Sequence, residues 1–206
     1  MPQEKIFKKP ILTTRELLLL ALLTAIVIVL QLLGAFIRFG PFSISLVLMP
    51  IAVGSALLGI IAGGWLGLVF GIVVLISGDA APFMVIDPLG TVLLVLVKGT
   101  LAGLAAGAAY KAISAKSKTA AAIVAAAVCP IVNSGVFVIG VYVFFLPTIT
   151  EWSLAAGAVS AAAFIFLTLI GLNFLVELGI NLLLSPTIVR LVQYGQNSEF
   201  RIRNSE

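Results

Sequence analysis

The chain has 206 residues, 62% of them hydrophobic and only 10% charged, with a mean hydropathy of +1.26. A soluble domain is close to half apolar and a quarter charged, so this composition excludes a water-facing globule and describes an integral membrane protein. The net charge of +4 comes from basic residues set between apolar runs, where they orient the chain in a bilayer rather than form a nucleic-acid patch.

The first apolar stretch, Leu17 to Leu33, has a basic flank but no small-residue cleavage pattern, so it is expected to stay as a span. A crossing helix needs about 20 mostly apolar residues. On that measure the spans are Thr14 to Ala35, Ser45 to Ile61, Gly64 to Ser77, Pro88 to Ala112, Thr119 to Leu146 and Ala156 to Leu191. Gly63 and Gly64 supply the break between the second and third spans, which are both short; a hairpin dipping part-way into the membrane is the alternative there. Pro50 and Pro130 fall inside spans and are expected to kink them.

Charge tests this plan. Lys5, Lys8, Lys9 and Arg15 precede the first span, Lys111, Lys116 and Lys118 separate the fourth and fifth, and Arg190, Arg201 and Arg203 follow the sixth. With six spans all ten lie on one side, which makes both termini cytoplasmic. The opposite side carries Arg38, Asp79, Asp87 and Glu151. The expected fold is therefore an all-α integral membrane protein, a six-transmembrane-helix bundle with both termini cytoplasmic. Residues 1–194 form its single membrane domain and 195–206 a polar, disordered cytoplasmic tail.

Gly59, Gly63, Gly67 and Gly71 recur every four residues, as do Gly99, Gly103 and Gly107. Small residues at this spacing let helix backbones approach closely, and the plain reading is packing inside the bundle. Ala21 and Ala25 make a similar pair on an otherwise bulky first helix, where the sharper reading is a face for another membrane protein.

Lys98, Asn133, Asn173, Glu177 and Asn181 are polar residues inside the spans. Such groups are expensive in hydrocarbon and usually face a cavity or a partner. Asn173, Glu177 and Asn181 are spaced four apart and share roughly 80° of one helix face. Lys98 and Glu177 each lie 13 residues from a cytoplasmic base, and Asn133 lies 15 from Lys118. At 1.5 Å per residue all three sit roughly 20 Å above that boundary. They form either an ion pair with Asn133 completing its hydrogen bonds, which knits the bundle, or the floor of a cavity.

Enzyme chemistry fits poorly. The chain has no histidine, a lone Cys129 followed by Pro130, and one acid within the spans, which leaves no general base, paired carboxylate or activated nucleophile. Lys98-Gly99-Thr100 lacks the glycine frame of a Walker A loop. Ligand binding without catalysis is what remains, and no cofactor or metal is implied.

These residues resemble the substrate-binding S components of energy-coupling factor (ECF) vitamin transporters. The likeness rests on about 200 residues in six spans, the Ala21-Leu22-Leu23-Thr24-Ala25 motif, the run Lys98-Gly99-Thr100-Leu101-Ala102-Gly103, and the Asn173, Glu177, Asn181 face followed by Ser185-Pro186. The resemblance implies a multi-pass protein of a prokaryotic plasma membrane that captures a vitamin or related micronutrient from outside. It implies a membrane coupling subunit and two cytoplasmic ATPases as partners, which drive toppling of the binding subunit and inward release. It assigns Ala21 and Ala25 to docking. It places Phe39 to Ser43, Asp79 to Asp87, Lys98, Asn133 and the Asn173 and Glu177 face in the pocket region, where the outer-loop residues Pro82, Phe83 and Met84 are expected as an apolar lid. Lys98 and Arg38 suit a carboxylate or phosphate, which ranks pantothenate first and riboflavin or folate next. The rival readings are a membrane scaffold without a small-molecule ligand and an autonomous secondary transporter.

Overall fold

The computed structural model describes residues 13–34, 38–39, 42–43 and 46–203. It is helical apart from one antiparallel pair, Arg38–Phe39 (β1) with Phe42–Ser43 (β2). Helix α1 spans Thr14–Gly34, α2 Leu48–Leu58, α3 Ile60–Ser77, α4 Ala81–Met84 and α5 Pro88–Ser114. Helix α6, Lys118–Gly140, passes through a π-helical turn at Val141–Phe145 into α7, Leu146–Ala155. Helix α8, Ala161–Ala163, passes through a second π-helical stretch, Phe164–Gly171, into α9, Leu172–Arg203.

Local chemistry sets several of these boundaries. Thr13 and Glu16 form a reciprocal capping box at the start of α1, with the Thr13 amide donating to Glu16 Oε2 at 2.6 Å and the Glu16 amide donating to Thr13 Oγ1 at 3.3 Å. Asp87 Oδ1 accepts from the Gly90 amide at 3.0 Å and Pro88 occupies the first helical position of α5, the site where a missing N–H costs nothing. Ser117 and Ser160 cap α6 and α8 in the same way.

Among the described residues, five helical segments are long and apolar enough to cross a membrane. The second predicted span, Ser45 to Ile61, is instead an 11-residue helix, about 16 Å long and roughly half the hydrocarbon thickness. Pro50 lies in its first turn, so it removes no helical hydrogen bond and does not kink the helix. Pro130 does lie inside α6. The break ahead of α3 falls at Gly59, whose φ of +93° favours glycine, and not at Gly63 and Gly64, which are inside α3. The stretch Pro147 to Ala155, expected as a loop, is helix α7, and the sixth span begins at Ala161. Helix α9 continues to Arg203, so residues 195–203 extend a helix where a disordered tail was expected.

Glycines knit α3 to α5. A methyl group on Gly67 would collide with the Gly99 carbonyl, and one on Gly103 with the Gly63 carbonyl. Gly71 faces Val95 and Leu96, and Gly107 faces Ile60. The two glycine stripes are thus facing halves of one backbone contact. Helix α1 buries Leu23, Val27, Gln31 and Gly34 and packs Leu19, Leu20 and Leu30 against the core, while Leu18, Leu22, Val29 and Leu33 face outward, as lipid allows.

Candidate functional site

A cavity of about 90 Å³, measured as space for water centres, lies among α1, α3, α4, α5, α6 and the π-to-α region of the last helix. Its walls draw on both hydrophobic clusters of the bundle. Phe70, Val74 and Val95 come from the larger cluster, and Phe83, Leu169 and Ile170 from the smaller. Leu169 and Ile170 lie in the second π-helical stretch, and such insertions recur at functional sites.

Six residues expected at the site line this one cavity: Lys98, Asn133, Asn173, Glu177, Asp79 and Phe83. The side chain of the seventh, Arg38, lies outside the described residues. Asn181 does not reach the cavity. It sits one turn beyond Glu177, where its Nδ2 donates to the Glu177 carbonyl at 2.8 Å. Of the expected lid residues Pro82, Phe83 and Met84, only Phe83 lines the cavity. Its ring packs edge-on against Phe137 and Phe145, with centroids 5.7 and 4.9 Å apart, and tilted against Trp152 at 6.0 Å.

Gly78 places Asp79. Its φ of +81° ends α3 in a left-handed cap, which turns the chain back so that Asp79 points at the cavity. There Gln31 Nε2 donates to Asp79 Oδ2 at 2.7 Å and Ser77 Oγ donates to the same oxygen at 3.3 Å. Lys98 Nζ lies 5.2 Å from the centroid of the Phe137 ring and 5.8 Å from that of Phe70, within the range of a cation–π attraction. The amide oxygens of Gln31, Asn133 and Asn173 are buried and have no hydrogen-bond donor among the described residues. Buried polar atoms are normally partnered, and these three belong to residues that line the cavity.

Sequence reasoning missed Gln31. It is the one amide inside the first apolar helix, at 1% exposure, and its polarity at that depth was the available signal. The aromatic walls Phe70, Phe137 and Phe174 were also missed.

Ala21 and Ala25 lie elsewhere, on the outward face of α1. With Leu17, Leu20, Thr24, Ile28 and Trp65 they line an open groove of about 470 Å³ between α1 and α3. Trp65 is half exposed and its indole Nε1 donates to Thr24 Oγ1 at 3.3 Å, which fixes the ring as one wall. The two alanines form a floor with no side chain beyond a methyl group, a shape that admits the backbone of another helix.

The structure thus carries two separate features, an inner polar cavity and an outer groove of small residues. A comparison with curated proteins finds no match. The family model of the ECF transporter substrate-specific component matches residues 15–189, nearly the whole helical bundle, and this multi-pass membrane chain belongs to that family of transporter subunits.

Proposed function

We propose that the chain is the substrate-capture subunit of an ECF-type importer for a vitamin or related micronutrient. In this reading all six apolar segments cross or complete the membrane domain, both termini are cytoplasmic, and the membrane is a prokaryotic plasma membrane. Substrate enters from outside and meets Lys98, Asn133, Asn173, Glu177, Asp79 and Phe83, with Arg38 on the hairpin after α1 as a further contact. The groove at Ala21 and Ala25 docks a membrane coupling subunit, and two cytoplasmic ATPases supply the energy that moves substrate inward.

One observation carries the reading: three helices bring Lys98, Asn133 and Glu177 to a single cavity, and three buried amide oxygens on its lining residues have no donor among the described residues. A purely structural polar layer would satisfy its own hydrogen bonds, because leaving one buried acceptor unpaired costs about 1–3 kcal/mol. A ligand that supplies donors relieves that cost. The arrangement also separates capture from docking, since no residue lines both the cavity and the groove.

The test is mass spectrometry of small molecules that co-purify with the protein in detergent from cells grown with a vitamin mixture. A stoichiometric ligand is expected. An empty protein across all media supports a scaffold instead, and uptake that follows an ion gradient in cells lacking the ATPases supports an autonomous transporter.

A further inference from the structure

We infer that the cavity selects a ligand built on a single flat aromatic ring, such as a substituted pyridine, over an acyclic chain or a fused ring system. The inference rests on the capture reading and specifies the substrate class of the same site.

The walls are aromatic to an extent the rest of the core is not. Phe70 from α3, Phe83 from α4, Phe137 from α6 and Phe174 from α9 all line the cavity. Among the described residues, the larger hydrophobic cluster buries only Phe70 and Tyr110 as aromatic side chains, and aliphatic residues fill the remainder. Four rings therefore converge on one polar cavity from four separate helices.

Their geometry favours another ring. Phe83 and Phe137 stand at 83° to each other with centroids 5.7 Å apart. Phe83 is buried and braced by Phe145, 4.9 Å away at 62°, and by Trp152 at 6.0 Å. A guest ring set in the angle between two nearly perpendicular rings stacks along one and meets the other edge to face. Those are the two arrangements that aromatic pairs prefer. An acyclic chain gains apolar contact there but neither arrangement.

Lys98 supplies the polar counterpart. Its Nζ lies 5.2 Å from the centroid of Phe137 and 5.8 Å from that of Phe70, which sets hydrogen-bond donors beside the ring faces. A ring carrying an acceptor at its edge, on a heteroaromatic nitrogen or a ring oxygen, engages Lys98 while its face stays on phenylalanine.

Size sets the upper limit. The cavity measures about 90 Å³, well below the roughly 300–1,000 Å³ of sites for drug-sized ligands. It is also smaller than an apolar cavity of about 150 Å³ that takes up benzene. One ring uses all of this space, and a fused second ring has none. Pantothenate brings a carboxylate for Lys98 but no ring for the walls, and riboflavin and folate bring fused rings.

The experiment titrates the ligand-free, detergent-purified full chain by calorimetry. The probes are nicotinate and pyridoxine as single aromatic rings, pantothenate as an acyclic chain, biotin as a non-aromatic bicycle, and riboflavin as a fused aromatic system. A single-ring probe is expected to bind at least 100-fold more tightly than any of the other three. Nicotinate and pantothenate are both carboxylates, so charge does not separate them. Phe137→Leu and Phe174→Leu are each expected to weaken single-ring binding about tenfold, and the wild-type ranking decides if either variant fails to fold. Tightest binding of pantothenate, biotin or riboflavin overturns the ring assignment and leaves the capture reading intact, as does unchanged affinity in both folded variants. Failure of every probe also overturns the assignment, and the capture reading then stands or falls separately on whether any small molecule co-purifies from cells.

Discussion

Gln31 Nε2 donates to Asp79 Oδ2 at 2.7 Å, tying the apolar helix α1 to the turn that follows α3. The bond joins residues 48 positions apart and places both on the cavity wall. A hydrogen bond to a charged group contributes about 1.5–3 kcal/mol. Gln31→Leu is therefore expected to lower unfolding stability in detergent by about 2 kcal/mol, and Gln31→Glu by more, because it sets a carboxylate against Asp79. Equal stability of all three proteins in a denaturant titration would show that the bond contributes nothing.

The glycine contact between α3 and α5 gives a matched pair of substitutions. A methyl group on Gly103 meets the Gly63 carbonyl, whereas one on Gly135 in α6 meets nothing within 4 Å. Forcing packed backbones apart costs about 1–3 kcal/mol, and replacing an unhindered helical glycine by alanine gains about 0.5–1 kcal/mol. Gly103→Ala should melt lower than the parent and Gly135→Ala at the same temperature or higher. The reverse order would discard the backbone contact.

Much of this was legible in the sequence, for identifiable reasons. Charged and amide residues inside apolar runs announced a polar layer, and counting from the basic flanks put Lys98, Asn133 and Glu177 at one depth; all three line the cavity. The break ahead of α3 was not legible, because Gly59, Gly63 and Gly64 are equal candidates on paper. Only geometry separates them: Gly59 needs its positive φ, while Gly63 and Gly64 are needed for close packing. Phe70, Phe137 and Phe174 could not be singled out, since in a membrane the lipid-facing and core-facing sides of a helix are both apolar and leave no periodic contrast. The π-helical stretches depend on tertiary packing and have no local signature in Val141–Phe145 or Phe164–Gly171.

Lys98 shares its cavity with Asp79 and Glu177, so it offsets their charge. Breaking a buried charge pair by removing one member costs about 3–5 kcal/mol. Lys98→Met is expected to destabilise by that amount, and Lys98→Met with Glu177→Gln to recover much of it. A double-mutant cycle measured by denaturant unfolding checks this; additive losses would mean the two residues act independently.

Orientation is testable at Ala81, which is exposed on the short helix α4. The proposed topology, argued from the ten-to-one bias of flanking bases, has this segment outside. Cys129 is fully buried, and Cys129→Ala removes the native thiol. In that background Ala81→Cys should react with a membrane-impermeant maleimide in intact cells. Labelling that requires lysis would reverse the topology.

Ala21 and Ala25 floor the outer groove beside Trp65, while α1 lines the cavity with Gln31, nearer its C-terminal end. Helix backbones approach closely only where side chains stop at the methyl group, so two indoles in place of the alanines would fill the groove. Ala21→Trp with Ala25→Trp is expected to block assembly with the coupling subunit and abolish uptake. Because both alanines face away from the core, the isolated variant should keep its melting temperature and its ligand. Loss of folding or of ligand binding would place the pair inside the bundle after all. Uptake at the parental rate would show that the groove meets only lipid, and either result removes the docking role.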